Sequence, residues 1–275
     1  MTERARVVEA FRGEDEVGPD EFSIRFPKQS ELEQDEEWCE VFLDGSWERF
    51  RFHDYTEIYN VPGLYERLFY QTLRCCSPER VVSALGGVLR DQEVDPTGLR
   101  VLDVGAGNGM VGTELRQIGA RTVVGVDILE AAREATLRDR PHVYDEYLVS
   151  DLTGLEKDEE AGLRVCQFNA MTCVAALGFG DIPPEAFCSA YNFVGVDGWL
   201  AFNIRDLFLD RKDQTGFSRL INTMLNERFI ELHAYRRYVH RLTIGMEKLS
   251  YVALVAKKLR DFEDGEVEGL IARSG

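Results

Sequence analysis

A chain of 275 residues, 44% apolar, 11% aromatic and 29% charged, is long enough for one large core or two small ones. Its near-average composition excludes wholesale disorder, a collagen-like fibre and a disulfide-stapled miniprotein. The formal charge of −17, from 32 Lys+Arg against 49 Asp+Glu, repels phosphate backbones at long range and disfavours nucleic acid as a partner.

Met1–Arg6 lead into acidic rather than apolar sequence, and no run approaches the ~18 apolar residues of a membrane span. A cytoplasmic protein without signal peptide or membrane segment is therefore expected. Residues 1–60 hold 7 basic and 17 acidic side chains, an extension read as a solubilising surface, a docking arm or a lid. The first twenty residues are poor core material and predict a frayed helix or tail. Alternation in Trp47-Glu48-Arg49-Phe50-Arg51-Phe52 predicts a strand, with Asp44-Gly45 as the turn of a hairpin. His53-Asp54-Tyr55 follows, with Tyr59 one turn later if helical.

Residues 61–98 read as a helical segment. Leu64, Leu68, Phe69 and Leu73 recur at helical spacing, and a second helix opens at Ser77-Pro78, with Val81, Val82, Leu85, Val88 and Leu89 on its apolar face. Asp95-Pro96-Thr97-Gly98 breaks the chain.

From Leu99 short apolar runs alternate with helices, the pattern of a parallel α/β sheet. Strands are predicted at Val101–Val104, Thr122–Val126, Tyr147–Val149, within Val165–Val174 and at Trp199–Ile204. Helices are predicted at Met110–Ile118, Leu129–Arg138, Pro184–Phe193 and Phe217–Phe229. Two last strands, within Ile230–Thr243 and at Leu249–Ala256, flank Gly245 closely enough for antiparallel pairing. The core is thus expected over residues 99–258, with a loose polar tail over 259–275. None of the six cysteines forms a C-x-x-C pair and the four histidines are scattered, so no metal site is expected. Cys166 and Cys173 lie in apolar strand-like sequence and read as small buried hydrophobes.

The sharpest feature is Val101-Leu102-Asp103-Val104-Gly105-Ala106-Gly107-Asn108-Gly109-Met110, a strand running through three alternate glycines directly into a helix. Glycine is needed where the chain turns tightly and a ligand approaches the backbone. The next strand ends in Asp127, 22 residues after Gly105, where a carboxylate can accept hydrogen bonds from both hydroxyls of a ribose. A dinucleotide loop would carry its third glycine or alanine where Met110 stands. Asp103 opposes a pyrophosphate and is placed to orient the loop's amides, which favours a cationic or zwitterionic nucleoside over NAD.

This segment resembles motif I of class I S-adenosylmethionine-dependent methyltransferases, and Val123–Asp127 looks like their second-strand motif. The resemblance covers roughly residues 99–258. It implies a Rossmann-like, seven-stranded, mostly parallel sheet with a C-terminal antiparallel hairpin, and S-adenosyl-L-methionine as cofactor. Gly105 and Gly107 would line its methionine and ribose portion, Asp127 would hold the ribose hydroxyls, and Asp151 in Val149-Ser150-Asp151-Leu152 would contact the adenine amine. An Asp at a strand end also caps turns. Ile128 would pack on the adenine face or in ordinary core. Ala106, Asn108, Gly109, Leu152 and Cys173 complete the expected cofactor-binding set, although Val174 and Ala175 mark Cys173 as packing. The run Phe168–Pro184 with Arg205 is similar to the small stand-alone methyltransferases of the Williams-Beuren-region type.

The Asn/Asp-Pro-Pro-Tyr/Phe motif of enzymes methylating base amines or glutamine amides is absent; Pro183-Pro184 comes too late and has no aromatic directly after it. The expected acceptor is an oxygen or nitrogen of a small molecule, with His53 and Tyr59 as candidate catalytic groups; the same aromatics also suit an anchor for the N-terminal region. A protein methyltransferase that docks through the extension and a non-catalytic cofactor-binding protein are the alternatives. Arg205 suits a substrate carboxylate or a pair with Asp206, and Arg236–Arg241 suits an anion, nucleic acid or an offset to the acidic N-terminal segment.

Overall fold

The computed structural model describes residues 23–27, 32–178, 180–209, 213, 215–263 and 265–267. The predicted tail at residues 1–20 and the end of the 259–275 segment lie outside these residues.

Strands β1 (Ile24–Arg25), β2 (Trp38–Leu43) and β3 (Ser46–Arg51) form a small antiparallel sheet in that order. The β2–β3 hairpin turns on Asp44 and Gly45 at φ 48° and 88°, the left-handed pair that a two-residue turn needs to match strand twist. Its inner side chains Cys39, Val41 and Phe50 pack with Phe52 on helix α1 (Tyr55–Asn60) and on a π-helix at Glu66–Thr72. Leu73 N–H reaches Leu68 C=O at 3.0 Å, five residues back. That wider turn brings Tyr65 and Tyr70, also five apart, to one wall with ring centres 6.0 Å apart.

Helix α2 (Ser77–Asp91), opened by Pro78, leads into the main sheet. The chain continues through β4 (Arg100–Val104), α3 (Met110–Gln117), β5 (Thr122–Asp127), α4 (Glu130–Asp139), β6 (Glu146–Val149), α5 (Lys157–Val165) and β7 (Ala170–Cys173). It ends with α6 (Pro184–Phe193), β8 (Trp199–Arg205), α7 (Phe217–Asn226), β9 (Ile230–Leu242) and β10 (Lys248–Lys258). The sheet order is β6-β5-β4-β7-β8-β10-β9; β10 runs antiparallel to both neighbours and the others pair in parallel. This is the expected Rossmann-like sheet with its terminal hairpin.

Apolar helix faces cover both sides. Val82 and Leu85 of α2 and Val111 and Leu115 of α3 share one core with Val101 and Val255. Phe187 and Tyr191 of α6 and Phe217 of α7 share another with Met171 and Phe202. Helix α5 corrects the sequence reading, which placed Val165 and Cys166 in a strand-bearing run. Lys157–Val165 is helical, opened by a Glu156/Glu159 capping box, and buries only Leu163. Cys166 caps its end. Among the described residues no helix is long and apolar enough to cross a membrane.

Arg241 ties the small sheet to the main one. Its guanidinium pairs with Glu37 in a fully buried contact, and Glu37 Oε1 also accepts the Ile244 amide at 2.7 Å. Asp206 pairs with Arg237 at 2.8 Å.

Candidate active site

The carboxyl ends of β4–β7 converge on a cavity of about 300 Å³, the place where doubly wound sheets bind ligands. After Val104 the chain passes through Gly105, Gly107 and Gly109 at φ 67°, 53° and 86°, then enters α3. A β-carbon on Gly105 would meet Ile182 at 2.9 Å, and one on Gly107 would meet the Tyr59 hydroxyl at 2.6 Å. The loop therefore lies against two walls that leave no room for a side chain.

It is also held from outside. The Gly107 amide donates to Asp127 Oδ2 at 2.9 Å, and the Gly107 carbonyl accepts the hydroxyls of Thr136 and Tyr147 at 2.7 and 2.8 Å. Asp127 Oδ1 accepts the Leu129 amide at 3.0 Å. Burial raises the Asp127 carboxyl above its ordinary pKa, and the nearby Asp181 charge adds to that. Asn108 Nδ2 donates to Glu66 at 3.1 Å, and Arg140 bonds both Glu66 and the Asn108 carbonyl, clamping the loop to the π-helix.

One wall is aromatic. Ring centres run from His53 to Tyr55 (5.7 Å), Tyr59 (6.3 Å) and Tyr65 (4.8 Å). Arg138 secures this wall by donating to the Tyr59 carbonyl at 3.0 Å. Burial pushes the phenols of Tyr55, Tyr59, Tyr65 and Tyr70 above their ordinary pKa, so they stay protonated at neutral pH. Across the opening, Asp181 meets His53 Nδ1 at 3.2 Å.

A family model described as a methyltransferase domain matches residues 73–242. The chain belongs to this methyltransferase family. The solved magnesium protoporphyrin IX methyltransferase ChlM of Synechocystis PCC 6803, with bound SAM, is similar in fold: 17% identity, 66% of this chain and 79% of that one, TM-score 0.45. So are the ribosomal protein L11 methylase of Lactobacillus delbrueckii subsp. bulgaricus (18%, 65% and 77%, 0.43) and an S-adenosylmethionine dependent methyltransferase of Mesorhizobium loti (15%, 64% and 100%, 0.45). No curated protein sequence matches.

In the methyltransferase, Gly105, Ala106, Gly107, Asn108, Asp127, Ile128, Asp151 and Leu152 all line the cavity, as do His53 and Tyr59. Ile128 is 60% exposed at the lip rather than in core. Asp151 Oδ1 accepts the Thr153 amide and hydroxyl at 2.8 and 2.7 Å, so it caps the following turn. Gly109 and Cys173 do not line the cavity. Gly109 faces Val143 and Arg140 beneath the loop, and Cys173, on the last residue of β7, is buried in the sheet core. Asp103 also differs from expectation. Its oxygens accept the hydroxyls of Thr172 and Tyr144, each at 2.6 Å, instead of loop amides.

Sequence reasoning gave no role to Asp181 or Tyr70. Asp181 stands between Gly178-x-Gly180 and Pro183-Pro184, and that glycine–proline crowding after the fourth strand was its one local signal.

Proposed function

We propose that the cavity binds S-adenosylmethionine and that the methyltransferase moves its methyl group to an oxygen or nitrogen of a small molecule, mainly by positioning. The observation that carries this reading is the Asp127–Gly107 contact at the cavity mouth, where a strand-end carboxylate and the glycine loop are already locked together. A carboxylate has about four acceptor positions. Backbone amides of Gly107 and Leu129 already bond one to each oxygen, and the positions left over suit a ribose diol. Gly105 and Gly107 give the methionine and ribose portion a side-chain-free backbone, and Asp151 and Ile128 are assigned to the adenine end. When bound, the sulfonium supplies an already activated methyl group.

The chain's own residues do the rest. The tyrosine wall, with Ala175, Ala176, Ile182 and Pro183 opposite, gives the acceptor a largely apolar enclosure, which supports a small molecule. Holding two reactants in line contributes on the order of 7–11 kcal/mol in favourable cases. His53, oriented by Asp181, is the group assigned to take a proton where the acceptor arrives protonated.

Calorimetry with S-adenosylmethionine, S-adenosylhomocysteine and NAD tests the cofactor assignment. Binding of the first two supports it; binding of NAD alone defeats it.

A further inference from the structure

The part of the cavity left for an acceptor has a distinct chemistry. Its wall is the aromatic run His53, Tyr55, Tyr59, Tyr65. The charged side chains that line the cavity among the described residues are the carboxylates Asp127, Asp151 and Asp181; no Lys or Arg lines it. A smaller recess of about 40 Å³ behind His53, Tyr55 and Tyr65 includes Arg241, whose charge Glu37 already neutralises. Aromatic rings attract cations, and carboxylates beside them with no Lys or Arg partner repel anions.

From this juxtaposition we infer that the acceptor is a small basic amine, held as an ammonium ion between the tyrosine wall and Asp181. The inference rests on the cofactor reading above and narrows its acceptor. Where Nδ1–H of His53 donates to Asp181, Nε2 is the nitrogen that takes the proton. The ammonium gives one proton to Nε2. Its freed lone pair forms the bond to the methyl carbon, and the electron pair of the broken sulfur–carbon bond stays on sulfur as a thioether. The product keeps its positive charge on nitrogen, and the charge lost from sulfur ends on the imidazolium of His53 beside Asp181. The pocket therefore holds the same total charge before and after transfer, with the carboxylate of Asp181 facing the imidazolium, whereas a carboxylate acceptor would enter against Asp127 and Asp181. Asp181 acts here as a positioning residue for His53 and as the counter-charge.

The test uses the full chain saturated with S-adenosylhomocysteine and three small probes of similar shape: tetramethylammonium, tert-butanol and trimethylacetate. None needs to react, and binding is read by NMR titration. Tetramethylammonium is expected to bind at least about tenfold more tightly than trimethylacetate. Asp181→Asn, which keeps a hydrogen-bonding partner for His53, should remove most of that preference, and Tyr55→Leu should weaken the cation while Tyr55→Phe retains it. If Asp181→Asn does not fold, raising salt on the wild-type chain must erode the preference instead. Equal binding of the three probes, tighter binding of trimethylacetate, or no response to tetramethylammonium overturns the amine assignment and leaves the cofactor reading standing. Failure of S-adenosylhomocysteine itself to bind defeats both.

Discussion

The Tyr59 hydroxyl lies 2.6 Å from the point where a β-carbon on Gly107 would stand. Helix α1 is thus seated directly on the glycine loop, and Arg138 fixes it there through the Tyr59 carbonyl. Any side chain at Gly107 meets both a left-handed backbone, φ 53°, and this hydroxyl.

Gly107→Ala should therefore lower stability by ~1–2 kcal/mol from the backbone alone and displace α1. Combining it with Tyr59→Phe should recover part of the loss, because the hydroxyl is the nearest obstacle and the ring carbon stands back at 3.6 Å. Denaturant melts of the two single variants and the double variant read this coupling; strict additivity would refute the contact.

Asp127→Ala should weaken S-adenosylmethionine binding by about 1–3 kcal/mol, since ribose hydroxyls and two loop amides lose their acceptor together. Asp127→Asn, which keeps one acceptor oxygen, should lose less. Calorimetric affinities that stay unchanged in both would remove Asp127 from the site.

Burial raises the Asp103 carboxyl from 3.8 to about 7, against the lowering effect of the Thr172 and Tyr144 hydroxyls. Between those values the folded chain holds more protons than the unfolded one, so this group makes stability fall as pH rises, by roughly 4 kcal/mol at most. Asp103→Asn should flatten that part of the curve. Denaturant unfolding from about pH 4 to about pH 8 measures the difference, and parallel curves for both proteins would contradict it.

Arg241→Ala leaves Glu37 as a buried charge without its partner and should cost about 3–5 kcal/mol. Replacing both, as Arg241→Met with Glu37→Leu, should cost much less. A double variant as unstable as the single one would mean that the pair is not what joins the small sheet to the β9–β10 hairpin.

Burial raises the Cys173 thiol far above its ordinary pKa and keeps it in the sheet core. Alkylating reagents should modify it only as the chain unfolds, and Cys173→Ala should leave cofactor affinity within about twofold. Peptide mass mapping after brief labelling checks the first point; rapid modification in the folded chain would bring Cys173 back to the cavity.

The strands, the glycine loop and Asp127 were legible in the sequence because each rests on local chemistry: a run of apolar residues, a positive φ that favours glycine, an acid at a strand tip. The hairpin turn at Asp44-Gly45 was legible for the same reason. Helix α5 was not, since it opens on four charged residues, Lys157–Glu160, and buries a single side chain, Leu163.

What the amino-acid order alone determined is the parallel α/β core and the glycine loop with an acid at the next strand tip. Only tertiary structure decided which groups face that loop. Asp181 meets His53 across 128 residues and Arg241 meets Glu37 across 204, while a π-helical turn aligns Tyr65 with Tyr70. Such contacts depend on strand order and on how loops close over the sheet, and residues so far apart carry no local pattern that announces their meeting.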